Sequence, residues 1–373
     1  MQRLSSPFEW QVNAAIQHSN GGSRLRSRRV SVLAWAAVAV TGLVGNGRAQ
    51  ITLPPGPEIF SAPQALTFAS VRTMGMGNIS SVVVDPYSRN PAHAAWLEEP
   101  QANVVYANYS FNGGLDADYT MFRYEFPVKW TKHKDGLQLA YFNLDSNRGG
   151  VSITGAPPGV PTQIQMEDQG VYLGYGFFIT EKTALGISTA LRNSRTRVYA
   201  PISFPVGPMT EVAEADSDSV ITPKFRVAVQ HELDDQWDFG AVLTASDQRA
   251  TITLPGFVAA DATDHFDQVD YDVGFAYHPN DKVTLAGEWF KRKLTSDSFA
   301  YRDEGLNFGA EVKAGDQWEL RAGSHEGNPT LGFSYTNNDW KVEYAFVKDF
   351  EQDDLAPLFG DADLHTISLT KSW

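Results

Sequence analysis

The chain has 373 residues, 44 of them acidic and 30 basic, for a formal net charge of −14. Six arginines and one acid fall in the first 50 residues, so the remainder carries 24 basic against 43 acidic side chains and lacks the positive face a nucleic acid needs. There is no cysteine, which removes thiol catalysis, cysteine-ligated zinc, iron–sulfur clusters, disulfides and cysteine lipid anchors. Phe, Tyr and Trp number 22, 14 and 9, yet the mean hydropathy is −0.28. A polytopic helical membrane protein would need repeated apolar runs of about 20 residues. An aromatic-rich β-protein, soluble or in an outer membrane, fits better.

Residues 1–49 read as a signal peptide. Arg24 to Arg29 is a basic cluster, Val30–Val44 is an apolar run, and Gly47-Arg48-Ala49 supplies small residues for cleavage after Ala49. As a helix that run spans about 22 Å, short of a roughly 30 Å hydrocarbon core, which weighs against an uncleaved anchor.

Residues 50–101 do not alternate. A Pro-rich start (Leu53-Pro54-Pro55-Gly56-Pro57) precedes an expected short helix near Ala62–Thr73. Gly75-Met76-Gly77-Asn78, Asp85-Pro86 and Asn90-Pro91-Ala92 follow. About fifty residues without a spanning strand need a place, and a wide barrel lumen needs filling. The segment is expected to be a hatch, or plug, inside the barrel.

From residue 102 to 373 the dominant signal has period two. In Trp340-Lys341-Val342-Glu343-Tyr344-Ala345-Phe346 the even positions are large and apolar, the odd ones charged or small. Successive strand side chains point to opposite faces, so each segment has one apolar face. Fourteen such segments are expected, at about 102–111, 117–127, 136–144, 169–179, 184–195, 220–230, 236–245, 267–278, 282–292, 305–313, 317–323, 330–336, 339–347 and 363–373. Most have the length a tilted strand needs to cross a bilayer. Tight turns such as Thr180–Thr183 and Glu232–Asp235 alternate with long connections at about 145–168, 196–219, 246–266, 293–304 and 348–362. Long loops on one rim and tight turns on the other describe an outer-membrane barrel. The expected fold is all-β, a 14-stranded antiparallel transmembrane barrel with a short N-terminal hatch. In lipid every backbone polar group must pair internally, so a sheet spans only when closed. The apolar faces then meet lipid, and Arg123, Arg192, Arg226, Arg292 and Arg321 belong to a lumen of mixed charge.

The chain ends on an alternating strand with apolar Ile367 and Leu369 and a terminal aromatic, Trp373. This resembles the signal by which bacterial barrel-assembly machinery recognises its clients.

Gly75-Met76-Gly77, then Asp85, then Asn90-Pro91-Ala92 before the first strand also resembles the start of the FadL-like outer-membrane proteins. That superfamily includes the long-chain fatty acid transporters and the PorV/PorQ branch of the type IX secretion system. The resemblance covers about twenty-five residues, together with the strand count and loop alternation. It implies that Gly75, Gly77, Asp85, Asn90, Pro91 and Ala92 form the hatch motif. This chain departs from the pattern in having Asn78-Ile79-Ser80, a single acid at Asp85, and His93-Ala94-Ala95 after the motif.

The expected function is passage or binding of small hydrophobic, fatty-acid-like molecules across the outer membrane. The alternative is an accessory barrel of type IX secretion that binds a protein cargo or partner. Three long connections are apolar for a surface, and Phe204, Met209, Leu254 and Phe257 are candidate ligand-entry residues. Neither a Gly-x-Ser-x-Gly elbow nor a His-Glu-x-x-His helix occurs, and the eight histidines are scattered. No enzymatic activity, cofactor or metal is expected.

Overall fold

The computed structural model describes residues 70–85, 87–112, 114–151, 162–203, 210–219, 222–253, 262–296, 300–350 and 361–373. The signal-peptide reading and the Pro-rich start lie outside them.

The strands are β1 (Gln101–Phe111), β2 (Asp116–Val128), β3 (Asp135–Ser146), β4 (Gly149–Val151), β5 (Thr162–Thr180), β6 (Thr183–Ser203), β7 (Thr210–Ser219), β8 (Thr222–Glu232), β9 (Trp237–Thr253), β10 (Ala262–Asn280), β11 (Val283–Ser296), β12 (Ala300–Ala314), β13 (Trp318–His325), β14 (Asn328–Asn337), β15 (Trp340–Phe350) and β16 (Ala362–Ser372). All pair antiparallel, and β16 closes onto β1 from Gln101↔Ser372 to Phe111↔Ala362. Two of the sixteen are extensions. β4 pairs with β5 just beyond the end of β3, and β7 lies between β6 and β9 beyond the end of β8. The ring therefore holds fourteen strands, as the alternation indicates. Closure leaves no unpaired edge through the wall, which the interior of a bilayer demands.

The strands are longer than expected. β5, β6 and β10 have 19, 21 and 19 residues. Much of what reads as loop at 145–168, 196–219 and 246–266 is hairpin continuing past the spanning region. There the backbone ladder continues, as in Thr210–Ser219 paired with β6. The long rim also has exceptions, because β13 and β14 are joined by Glu326-Gly327 alone, both with positive φ.

The outward face is apolar. Val104, Phe122, Val227, Phe308 and Leu331 are all more than two-fifths exposed. On β15 Val342 is 36% exposed while Glu343 is 3% exposed, the alternation the sequence shows. Trp237, Trp318, Trp340 and Trp373 stand exposed at strand ends on the tight-turn rim, the position of an interfacial aromatic girdle.

Candidate functional site: the lumen and its inner segment

Residues 70–100 lie against the inner wall. Val71–Gly75 forms a short helix, α1, which begins after its extended N-cap Ser70 and overlaps only the last three residues of the helix expected near Ala62–Thr73. Ser70 caps it by accepting the Thr73 amide at 3.1 Å. A 3-10 helix follows at Pro91–Trp96, where the Asn90 side chain accepts the Ala92 amide at 2.9 Å and Pro91 takes the first helical position. Met74, Met76, Ile79, Asn90, Ala92 and His93 are fully buried.

Wall side chains hold the backbone of this segment. Glu288 accepts the Ser80 and Ser81 amides at 2.9 and 2.7 Å. Thr330 accepts the Gly77 amide at 3.0 Å and donates to the Gly75 carbonyl at 3.1 Å. Arg72 grips Glu311 with two nitrogens at 2.9 and 2.6 Å, and Arg321 shares that carboxylate at 2.6 Å. Burial works against charge on Arg72, but Glu311 more than offsets it and raises its pKa. His93 meets Gln230 at 3.2 Å through Nε2 and Ser88 Oγ at 2.6 Å through Nδ1. Gln230 in turn donates to the Val82 carbonyl at 3.1 Å, leaving its own oxygen to accept from His93. Burial lowers the His93 pKa to about 4, so the ring is neutral at pH 7.

The wall also makes room. A Cβ on Gly186 would stand 2.1 Å from the Ala92 nitrogen, one on Gly240 1.9 Å from the Ser81 oxygen, and one on Gly309 2.1 Å from the Met76 oxygen. These glycines occupy inward positions of the alternation, so they mark the footprint of the segment on the wall. That signal is present in the sequence, where the small residues read only as a non-lipid face. Gly77 itself has φ +83 and sits against the Phe308 and Ser324 carbonyls, a position that excludes a side chain twice over.

Each motif residue has a structural task. Gly75 packs on Gly332, and Asp85 accepts the Ser70 hydroxyl at 2.8 Å and the Tyr87 amide at 2.9 Å. Asn90 also donates to the Ser81 carbonyl at 2.6 Å. These contacts bring the motif together on the inner wall.

Between this segment and strands β2, β3, β5, β6 and β8 lies a small, partly open cavity. Arg89, Arg123, Arg192, Lys224 and Arg226 line it, with one carboxylate, Glu125. Arg192 pairs with Asp168, and Arg123 donates to the Tyr87 carbonyl. Phe142 lies under Arg192 at 5.4 Å and Tyr172 under Arg226 at 6.0 Å. Three of the five expected lumen arginines thus meet here. Arg321 instead belongs to the Glu311 ion cluster, and Arg292 faces Asp303 and Glu326, each at 3.8 Å. Sequence reading missed Arg89, which the inner segment contributes, and the aromatic wall.

Toward the long-loop rim the lumen wall is apolar, which corrects the expectation that only charged or small residues face inward. Tyr109, Phe111, Leu115, Tyr119, Phe142, Leu144, Met166, Val347, Phe350 and Leu364 form one buried cluster. Apolar residues on both faces, as in Val104-Val105-Tyr106-Ala107, let these strands serve lipid outside and an apolar collar inside. Tyr119, Met121 and Phe142 belong to collar and cavity alike.

Phe204, Met209, Leu254 and Phe257 lie outside the described residues. Ile367, Leu369 and Trp373 point outward, at 47%, 44% and 55% exposure. Among the described residues no His, Asp and Glu cluster suits a metal ion.

No protein-family model matches the chain, and neither does any curated protein. Solved structures do. The toluene transporter TbuX of Ralstonia pickettii superposes with a TM-score of 0.55 at 12% identity, over 81% of this chain and 97% of that one. The CymD monoaromatic hydrocarbon channel gives 0.56 at 13% identity, over 83% and 98%. A Pseudomonas aeruginosa FadL homologue gives 0.55 at 13% identity, over 82% and 98%. The fold is that of the FadL-like barrels. None of the three is described as a secretion accessory barrel.

Proposed function

We propose that this chain is a bacterial outer-membrane barrel that passes small hydrophobic molecules bearing an acidic group, fatty acids among them. The carrying observation is the lumen itself. A buried apolar cluster packs against a cavity lined by five cations, one carboxylate and aromatic side chains. An apolar body would bury in the collar, while a carboxylate would meet Lys224 and Arg226 below it. Likeness of fold to a toluene transporter and a hydrocarbon channel supports passage over catalysis. In this reading residues 1–49 are the export signal, residues 50–101 the hatch, and Ile367, Leu369 and Trp373 the mark read by the assembly machinery. No enzymatic step is assigned, and no observation favours the secretion-accessory alternative.

Binding of a fluorescent fatty acid and of the matching alcohol to the purified barrel tests this. Lys224→Gln with Arg226→Gln removes two charged donors, each worth about 1.5–3 kcal/mol in a charge-assisted hydrogen bond. Acid affinity should fall at least roughly tenfold, with the alcohol unaffected. Equal binding of acid and alcohol by the unmodified protein would refute the acidic-group assignment.

A further inference from the structure

The tight-turn rim is acidic or neutral almost throughout. Its other exposed lysines sit beside acids, as in Glu181-Lys182 and Asp281-Lys282, and Lys371 pairs with Asp339 at 2.7 Å. The β2–β3 turn breaks this pattern. Residues 129–134 read Lys-Trp-Thr-Lys-His-Lys, and all six are exposed. Lys134 meets Glu98 at 3.0 Å, which leaves Lys129 and Lys132 to make the turn positive.

The turn is also built to present an aromatic side chain. The Asp135 carboxylate accepts the Trp130 and Thr131 amides at 3.0 and 3.1 Å and the Tyr175 hydroxyl at 2.9 Å. Thr131 and His133 close the turn with two further hydrogen bonds. So held, Trp130 is 67% exposed and packs on Tyr175 at 5.3 Å, with Phe177 beyond it at 5.4 Å. These aromatics lie on the outward face of the wall, at the level of the rim tryptophans. Amphipathic rings settle at the headgroup level of a bilayer, and lysines beside them reach lipid phosphates.

We infer that the 129–134 turn is a docking site for anionic glycerophospholipid, with Lys129 and Lys132 on the phosphate and Trp130 at the headgroup boundary. This rests on the membrane reading above. It goes beyond that reading by assigning a lipid class to one sector of the barrel. A lipid held there would sit outside β2, β3 and β5, the strands that line the lumen cavity within.

The test is native mass spectrometry of the purified full barrel in detergent, with phosphatidylglycerol and phosphatidylcholine as competing probes. The unmodified protein should retain phosphatidylglycerol preferentially. Lys129→Gln/Lys132→Gln/Lys134→Gln should weaken that retention about tenfold or more at low salt. A control, Lys182→Gln/Lys282→Gln/Lys313→Gln, removes as many charges from the same rim and should change little. Trp130→Ala should shorten retention while leaving the charge preference. Equal retention of the two lipids, equal loss in both triple variants, or displacement by free glycerol phosphate at matched concentration would each overturn the proposal. Insertion into phosphatidylcholine vesicles, read by heat modifiability, separates the two levels. A barrel that inserts without lipid preference sinks only the docking site, and one that never inserts sinks the membrane reading with it.

Discussion

Acid should loosen the inner segment, and His93 sets the pH range. The ring is fully buried, bonded to Gln230 and Ser88, and its pKa is lowered to about 4 by burial. Once residues 70–100 leave the wall, the ring returns to about 6.5. The docked form therefore binds fewer protons than the released form between those values. The docking contribution is complete above pH 6.5, weakens as pH falls through it, and is reduced by about 3 kcal/mol near pH 4, at roughly 1.4 kcal/mol per pH unit. That is about a hundredfold change in the docking equilibrium. Hydrogen exchange of the peptides covering 70–100, measured from pH 7.5 to 4 and corrected for intrinsic rates, reports it. The comparison with His93→Gln isolates the histidine from every other group that titrates in this range. Its side chain stays neutral throughout, and its protection should fall less steeply across the range. Identical pH profiles for the two proteins would refute the assignment.

Gly186→Val places a Cβ 2.1 Å from the Ala92 nitrogen, an overpacking cost of at least about 1–3 kcal/mol. The barrel should assemble while residues 70–100 become protease-sensitive, and unchanged protection would show that the glycine wall is not the seat of the segment. Deleting residues 50–95 should leave a folded barrel with larger single-channel conductance in planar bilayers; unchanged conductance would place the block elsewhere. Val342→Arg puts a charge on the lipid face two residues from the interfacial Trp340, at a cost below the roughly 2–4 kcal/mol of a mid-bilayer site, and should weaken assembly in a heat-modifiability gel. Glu343→Gln should still assemble, because Glu319 remains beside Arg321 and Lys341.

The sequence by itself determined the barrel. Period-two alternation fixes which residues of each strand share a face, and a bilayer tolerates only a closed sheet, so fourteen alternating segments imply the ring. The same local rule set the facing of Val342 and Glu343, since a strand shows its sides without reference to any partner. The ends of β5, β6 and β10 were not legible, because the backbone pairing that extends these hairpins is decided between strands and not within one. The motif at Gly75, Gly77, Asp85 and Asn90-Pro91-Ala92 was visible as a pattern, but its tasks depend on Thr330 and Val229, more than 130 residues away. The cavity was decided by tertiary structure alone. Arg89 comes from the inner segment, and Arg123, Arg192, Lys224 and Arg226 from three different strands. Alternation says that each faces inward. Only the closure of the barrel and the seating of the segment against its glycines bring them around one space, because convergence depends on register and curvature that no single strand encodes.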